Sequence, residues 1–124
     1  LTDDGIEPLT RLENLESLNL GSCQLTSAGF ERLTQLDKLW ALRLGSSHID
    51  DSALACLDRL PNLTQLILQN APLTDAGLAQ LYERKDLTTL YLEGTEVTDE
   101  GVARLKESLP HAHIHWGAGH GHRH

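Results

Sequence analysis

The sequence predicts an α/β solenoid, a row of short strand-and-helix units stacked into an arc. Three observations carry that expectation. First, the chain repeats itself every 24 residues, as LTDDGIEPL from Leu1, LTSAGFERL from Leu25, IDDSALACL from Ile49, LTDAGLAQL from Leu73 and VTDEGVARL from Val97. Second, each unit contains two hydrophobic periods, one helical and one strand-like. Third, no unit has enough apolar surface to fold alone, so the units must stack and share a continuous core.

Counting the first residue of each unit as position 1, positions 6, 9 and usually 12 are apolar, which is helical spacing. Positions 18 and 20 are apolar and alternate as a strand does: Leu18 and Leu20, Leu42 and Leu44, Leu66 and Leu68, Leu90 and Leu92, Ile114 and Trp116. Ahead of each helix stand Thr2-Asp3, Thr26-Ser27, Asp50-Asp51, Thr74-Asp75 and Thr98-Asp99. Their side-chain oxygens are expected to accept from the unpaired N–H groups of the first helical turn, each cap contributing about 1 kcal/mol. Because the same pair recurs at every helix start, capping is preferred over a metal or acid/base role for these carboxylates. Position 5 is Gly5, Gly29, Gly77 and Gly101, with Ala53 the exception, which predicts close packing where each helix begins.

Parallel strands lie about 4.8 Å apart, whereas helix axes need roughly 8 to 10 Å. That mismatch bends the stack, with strands on the concave face and helices on the convex one. At this point the motif L-x-x-L-x-L, at Leu15 to Leu20, Leu39 to Leu44, Leu63 to Leu68 and Leu87 to Leu92, resembles the leucine-rich-repeat signature. The resemblance covers residues 1–116 and implies a right-handed horseshoe of about five repeats. The form LTDxGLxxL with the Gly94-Thr95 turn looks like short bacterial repeats common in planctomycete proteins and is similar to the repeats of F-box substrate receptors. The asparagine that often closes the family motif is replaced by Cys23, Ser47, Ala71 and Thr95.

The expected organisation is a repeat domain over 1–116, with units 1–24, 25–48, 49–72, 73–96 and 97–116, then a His- and Gly-rich tail over 117–124 whose composition predicts flexibility. The segment LPHAHIHW, Leu109 to Trp116, is read as a C-terminal cap in which a broad Trp covers the last layer. Leu1 enters the helical half of a unit with no strand or polar cap ahead of it to cover Leu9, Leu15 and Leu18. A longer parent chain is the preferred explanation, with a partner or a second copy on that face as the other.

Composition narrows the function. With 18 acidic against 10 basic residues the net charge is -8, which opposes nucleic-acid binding, because phosphate affinity needs clustered Lys and Arg. Two cysteines, Cys23 and Cys56, make neither a disulfide framework nor a CxxC site, and free thiols lean toward the cytoplasm. No signal-peptide pattern is legible, and the longest apolar runs fall far short of the roughly 20 residues that span a bilayer. GxSxG, GxxxxGK[ST] and HExxH are all missing, so no enzyme is expected.

Alternation turns positions 17 and 19 of each strand away from the core. Position 19 runs Asn19, Arg43, Ile67, Tyr91, His115, and position 17 runs Ser17, Ala41, Gln65, Thr89, His113. Trp40 lies at position 16, on the rim. Trp, Tyr and Arg are enriched among binding hot spots, so Trp40, Arg43, Gln65, Ile67 and Tyr91 are the expected contact core for a protein partner. The bland alternative is that Ile67 and Tyr91 only favour strand formation, in a passive segment of a larger enzyme or receptor. The second constellation is the C-terminal run of His111, His113, His115, His120, His122 and His124, six of the seven histidines. An H-x-H pair on a strand places both rings on one face, so His113 and His115, with His120 and His122, are candidate ligands for Zn, Ni or Cu. No cofactor beyond such weak metal affinity is expected.

Overall fold

The computed structural model describes residues 3–116 of the chain. Five strands form one parallel sheet in sequence order: β1 (Ser17–Ser22), β2 (Ala41–Gly45), β3 (Gln65–Gln69), β4 (Thr89–Tyr91) and β5 (His113–His115). Helices return the chain between strands: α1 (Ser27–Leu33), α2 (Asp51–Leu54), α3 (Asp75–Leu78) and α4 (Asp99–Ser108). The two shortest, α2 and α3, tighten into 3-10 turns at Ala55–Arg59 and Ala79–Leu81, and the first unit has only 3-10 turns, at Asp4–Ile6 and Leu9–Arg11. A unit of 24 residues leaves little room for α-helix, and 3-10 geometry covers more length per residue.

The core is the continuous stack that the repeat requires. Leu42, Leu66 and Leu90 from the strands meet Phe30, Leu54, Leu78 and Val102 from the helices, all essentially excluded from solvent. Leu39, Leu63 and Leu87 close the layer beneath. In the first unit Leu9, Leu15, Leu18 and Leu20 are only partly buried, and Leu12 is 50% exposed. Among the described residues no helix is long and apolar enough to cross a membrane.

The register matches the 24-residue offset along β2, β3, β4 and β5, with Leu42 opposite Leu66 and Leu90 opposite Ile114. Strand β1 departs from it. Asn19 pairs with Arg43 as the period requires, but Gly21, not Leu20, pairs with Leu44. Gly21 has φ +57°, and its N–H donates to Asn19 Oδ1 at 3.0 Å. The first strand is thus bulged at Leu20, a device that bends an edge strand and that a residue free to take positive φ permits.

The paired residues at the helix starts divide their work. The first caps: Thr26 Oγ1 accepts from the Gly29 N–H at 3.4 Å, Asp50 Oδ1 from Ser52 at 3.1 Å and Thr98 Oγ1 from Gly101 at 3.0 Å. The second does not cap its own helix, contrary to the expectation for the pair as a whole. It reaches to the next unit. Asp3 accepts from the Thr26 N–H at 2.8 Å and hydroxyl at 2.6 Å, and Asp75 accepts from the Thr98 N–H at 2.9 Å and hydroxyl at 2.6 Å. Asp51 does the same with Thr74, whose own side chain makes no cap bond. At the remaining junction the polarity is reversed: the Ser27 hydroxyl donates to Asp50 Oδ1 at 2.9 Å and accepts from the Asp50 N–H at 3.2 Å. In the last unit Asp99 accepts from the Trp116 indole N–H at 2.8 Å, and Trp116 is buried.

This clamp explains three of the position-5 glycines, Gly29, Gly77 and Gly101. A Cβ on Gly29 would lie 2.0 Å from Asp3 Oδ1, one on Gly77 2.3 Å from Asp51 Oδ1 and one on Gly101 2.1 Å from Asp75 Oδ1. Ala53, the one non-glycine at this position in units two to five, stands after the one unit whose clamp residue is Ser27. A hydroxymethyl group leaves room for the methyl that a carboxylate excludes.

Candidate binding surface

The concave face is assembled by register. Pairing brings Ser17, Ala41, Gln65, Thr89 and His113 into one row, and Asn19, Arg43, Ile67, Tyr91 and His115 into the next. The core partners Leu42, Leu66 and Leu90 point the other way and are buried, whereas Arg43 is exposed and Gln65, Ile67 and Tyr91 are half-buried. The face contains two distinct features.

Toward the N-terminal end is a shallow depression of about 160 Å³ lined by Ser17, Asn19, Ala41, Arg43, Gln65 and Ile67, with Leu18 and Leu42 at its floor. The Arg43 side chain makes no ion pair or hydrogen bond among the described residues, so its guanidinium is available to a ligand. Asn19 is a member that hot-spot composition passes over. Its amide oxygen holds the Gly21 bulge, and so shapes one wall. The Asn-x-Gly spacing is the sequence signal that marks it.

Toward the C-terminal end is an aromatic cluster. The Tyr91 ring lies 4.5 Å from the His115 ring and 6.2 Å from that of His113, and the two imidazoles are 4.3 Å apart edge-on. The structure therefore brings Arg43, Gln65 and Ile67 together in the depression, and places Tyr91 next to Ile67 in register but packed on the histidines. Trp40 stands just before β2, 41% exposed, outside the residues that line the depression. Its backbone is fixed: the carbonyl accepts from the N–H groups of Thr64 and Gln65, both at 3.0 Å. His120 and His122, the other candidate metal ligands, and the rest of the tail lie outside the described residues.

The acids of the chain sit elsewhere. Neither concave row contains Asp or Glu, although the net charge is -8. Several acids serve the clamp and caps instead. Hydrogen bonding by the Thr26 hydroxyl holds Asp3 below the ordinary carboxylate value, and bonds from the Ser52 and Ser27 side chains do the same for Asp50. The Cys56 thiol is pushed up, by burial first and by Glu31 beside it, opposite to what a nucleophilic thiol needs. The position usually closed by asparagine is filled unevenly. Ser46, one residue before the expected Ser47, is the buried hydroxyl and donates to the Leu25 carbonyl at 2.6 Å, while Thr95 donates to Leu92 at 2.6 Å.

A parallel-sheet solenoid with an open concave face is the class these features define. A family model for the leucine-rich repeat matches residues 11–33 and 85–106. Among solved structures, internalin C2 of Listeria monocytogenes is 27% identical with a TM-score of 0.64, over 86% of this chain and 45% of that one. A second Listeria monocytogenes internalin, inlF, is 22% identical with a TM-score of 0.59, over 94% of this chain and 38% of that one, and shares the fold. The chain spans less than half the length of either. No curated protein matches it by sequence. The chain therefore carries leucine-rich repeats where the family model matches and has the fold of the internalin repeat domains. Such repeats are in general non-enzymatic scaffolds for protein–protein interaction, using the concave surface that solenoid curvature creates.

Proposed function

We propose that this domain is a non-enzymatic binding module that holds a protein partner on its concave sheet, with Trp40, Arg43, Gln65, Ile67 and Tyr91 as the contact core. One observation supports this reading above the rest: on a chain of net charge -8, the concave rows exclude carboxylates and align an available Arg, an Ile and a Tyr on three successive strands. Arg43 to Tyr91 spans two strand spacings, roughly 10 Å, about the reach of three residues of extended chain. The partner segment that fits is an extended one lying across the strands, with a carboxylate for Arg43 and apolar side chains for Ile67 and Tyr91.

The test is capture of partners by the protein, by an Arg43→Ala/Tyr91→Ala variant and by a convex-face control, Lys106→Ala. Loss of a hot-spot side chain of about 2 kcal/mol weakens binding roughly thirtyfold, and loss of two that act independently weakens it by roughly a thousandfold. A partner retained by Lys106→Ala and lost by the double variant supports the concave site. Equal capture by all three, with the double variant folded by circular dichroism, overturns it and leaves the passive-segment reading, which the length of the internalins relative to this chain keeps in view.

A further inference from the structure

We infer that His113 and His115 form a two-imidazole chelate for a borderline divalent cation of the Zn(II) class at the C-terminal end of the concave sheet. Three histidines alternate along the last strand and its approach, His111, His113 and His115, and the structure separates their roles. The His111 ring is engaged by the Lys85 carbonyl, 3.0 Å from its Nε2. The rings of His113 and His115 turn toward each other, with their Nε2 atoms in hydrogen-bond contact at 2.5 Å. Two ring nitrogens brought together on one face of a strand are donors of the kind that zinc, nickel and copper take from imidazoles.

The pair is held before any ion arrives. The His113 N–H donates to the Thr88 carbonyl at 2.8 Å, and the His115 carbonyl accepts from the Leu92 N–H at 2.6 Å, so the strand is pinned at both ligand positions. The Tyr91 ring on β4 packs against the imidazoles and limits their rotation. Metal–nitrogen bonds of 2.0–2.1 Å at a tetrahedral angle separate two donors by roughly 3.3 Å. The rings therefore open by less than about 1 Å, a change that small side-chain rotations supply. Among the described residues no third His, Cys, Asp or Glu joins the pair, so the chelate is one of two imidazoles.

The experiment is calorimetric titration of the full chain with Zn(II) at neutral pH, free of competing chelators. The tail variant His120→Gln/His122→Gln/His124→Gln is expected to retain one saturable site. Adding His113→Gln or His115→Gln to that variant lowers affinity at least about tenfold, no less than the loss of a ligand-orienting neighbour costs. Adding His111→Gln leaves it unchanged. Zn(II) also raises the thermal midpoint of the tail variant, by mass action on the folded state, and not that of the tail variant with His113→Gln. Loss of all binding in the tail variant, or full binding after His113→Gln, overturns the proposal in favour of tail binding or of a proton shared between the two rings.

Discussion

The pairing of Gly77 with Asp51 makes a quantitative test of how one repeat is fastened to the next. In Gly77→Ala the added Cβ would lie 2.3 Å from Asp51 Oδ1, 2.8 Å from its Cγ and 3.0 Å from Leu54 Cδ1, so the carboxylate must swing away. It then gives up both bonds to Thr74. Hydrogen bonds to a charged group contribute about 1.5 kcal/mol each at the low end, which suits a half-buried acid, or about 3 kcal/mol for the two. Alanine recovers about 1 kcal/mol through helix propensity, leaving a net loss of about 2 kcal/mol. Asp51→Ser alone keeps one short polar contact, as Ser27 does at its junction, and also loses roughly 2 kcal/mol. The double variant has no clash and gains the helix term, so it falls only about 1 kcal/mol below the parent. Additivity would predict about 4 kcal/mol, so the coupling is about 3 kcal/mol, at the upper end for residues in contact. Urea unfolding at pH 7, followed by far-ultraviolet circular dichroism, measures all four corners of the cycle. A Gly77→Ala variant as stable as the parent, or a double variant at the additive value, would refute the account of why glycine occupies this position.

Two further outcomes test the same framework. Asp50 is depressed below 3.8 in the folded chain, so its contribution is complete above the unfolded value and is lost as pH falls through the folded one. The urea midpoint should drop as pH is lowered from 5 through about 3, and Asp50→Asn should flatten that dependence; parallel profiles would remove Asp50 from the acid sensitivity. Leu66→Ala, in the middle strand and fully buried, should cost about 2–5 kcal/mol by urea unfolding, whereas Gln65→Ala on the opposite face should stay within about 1 kcal/mol, and equal losses would place the core on the wrong side of the sheet.

The fold was legible because hydrophobic periodicity is a one-dimensional record of burial. A side chain's face follows from its position in the unit, and every unit repeats the same solution, so Leu42, Leu66 and Leu90 could be assigned to the core and Arg43, Ile67 and Tyr91 to the open face before any coordinate. The candidate binding surface was legible only as rows. Which members of a row touch is a matter of side-chain direction: Tyr91 turns to His115 while Arg43 lines the depression with Ile67. The β1 bulge escaped the periodic reading, because Leu20 keeps the apolar pattern even though Gly21 takes its place in the ladder.

By itself, the sequence determined the unit length, the strand and helix halves of each unit and the two faces of the sheet, since these depend on spacing along the chain. Only the tertiary structure decided that Asp3, Asp51 and Asp75 clamp the following unit rather than cap their own helices, because a carboxylate at a helix start can satisfy either set of donors and the stacking distance selects one. The same distance turns the Gly and Ala of position 5 into a consequence of their neighbours: a residue 26 positions earlier, Asp51 for Gly77 and Ser27 for Ala53, occupies or vacates the space a methyl group needs.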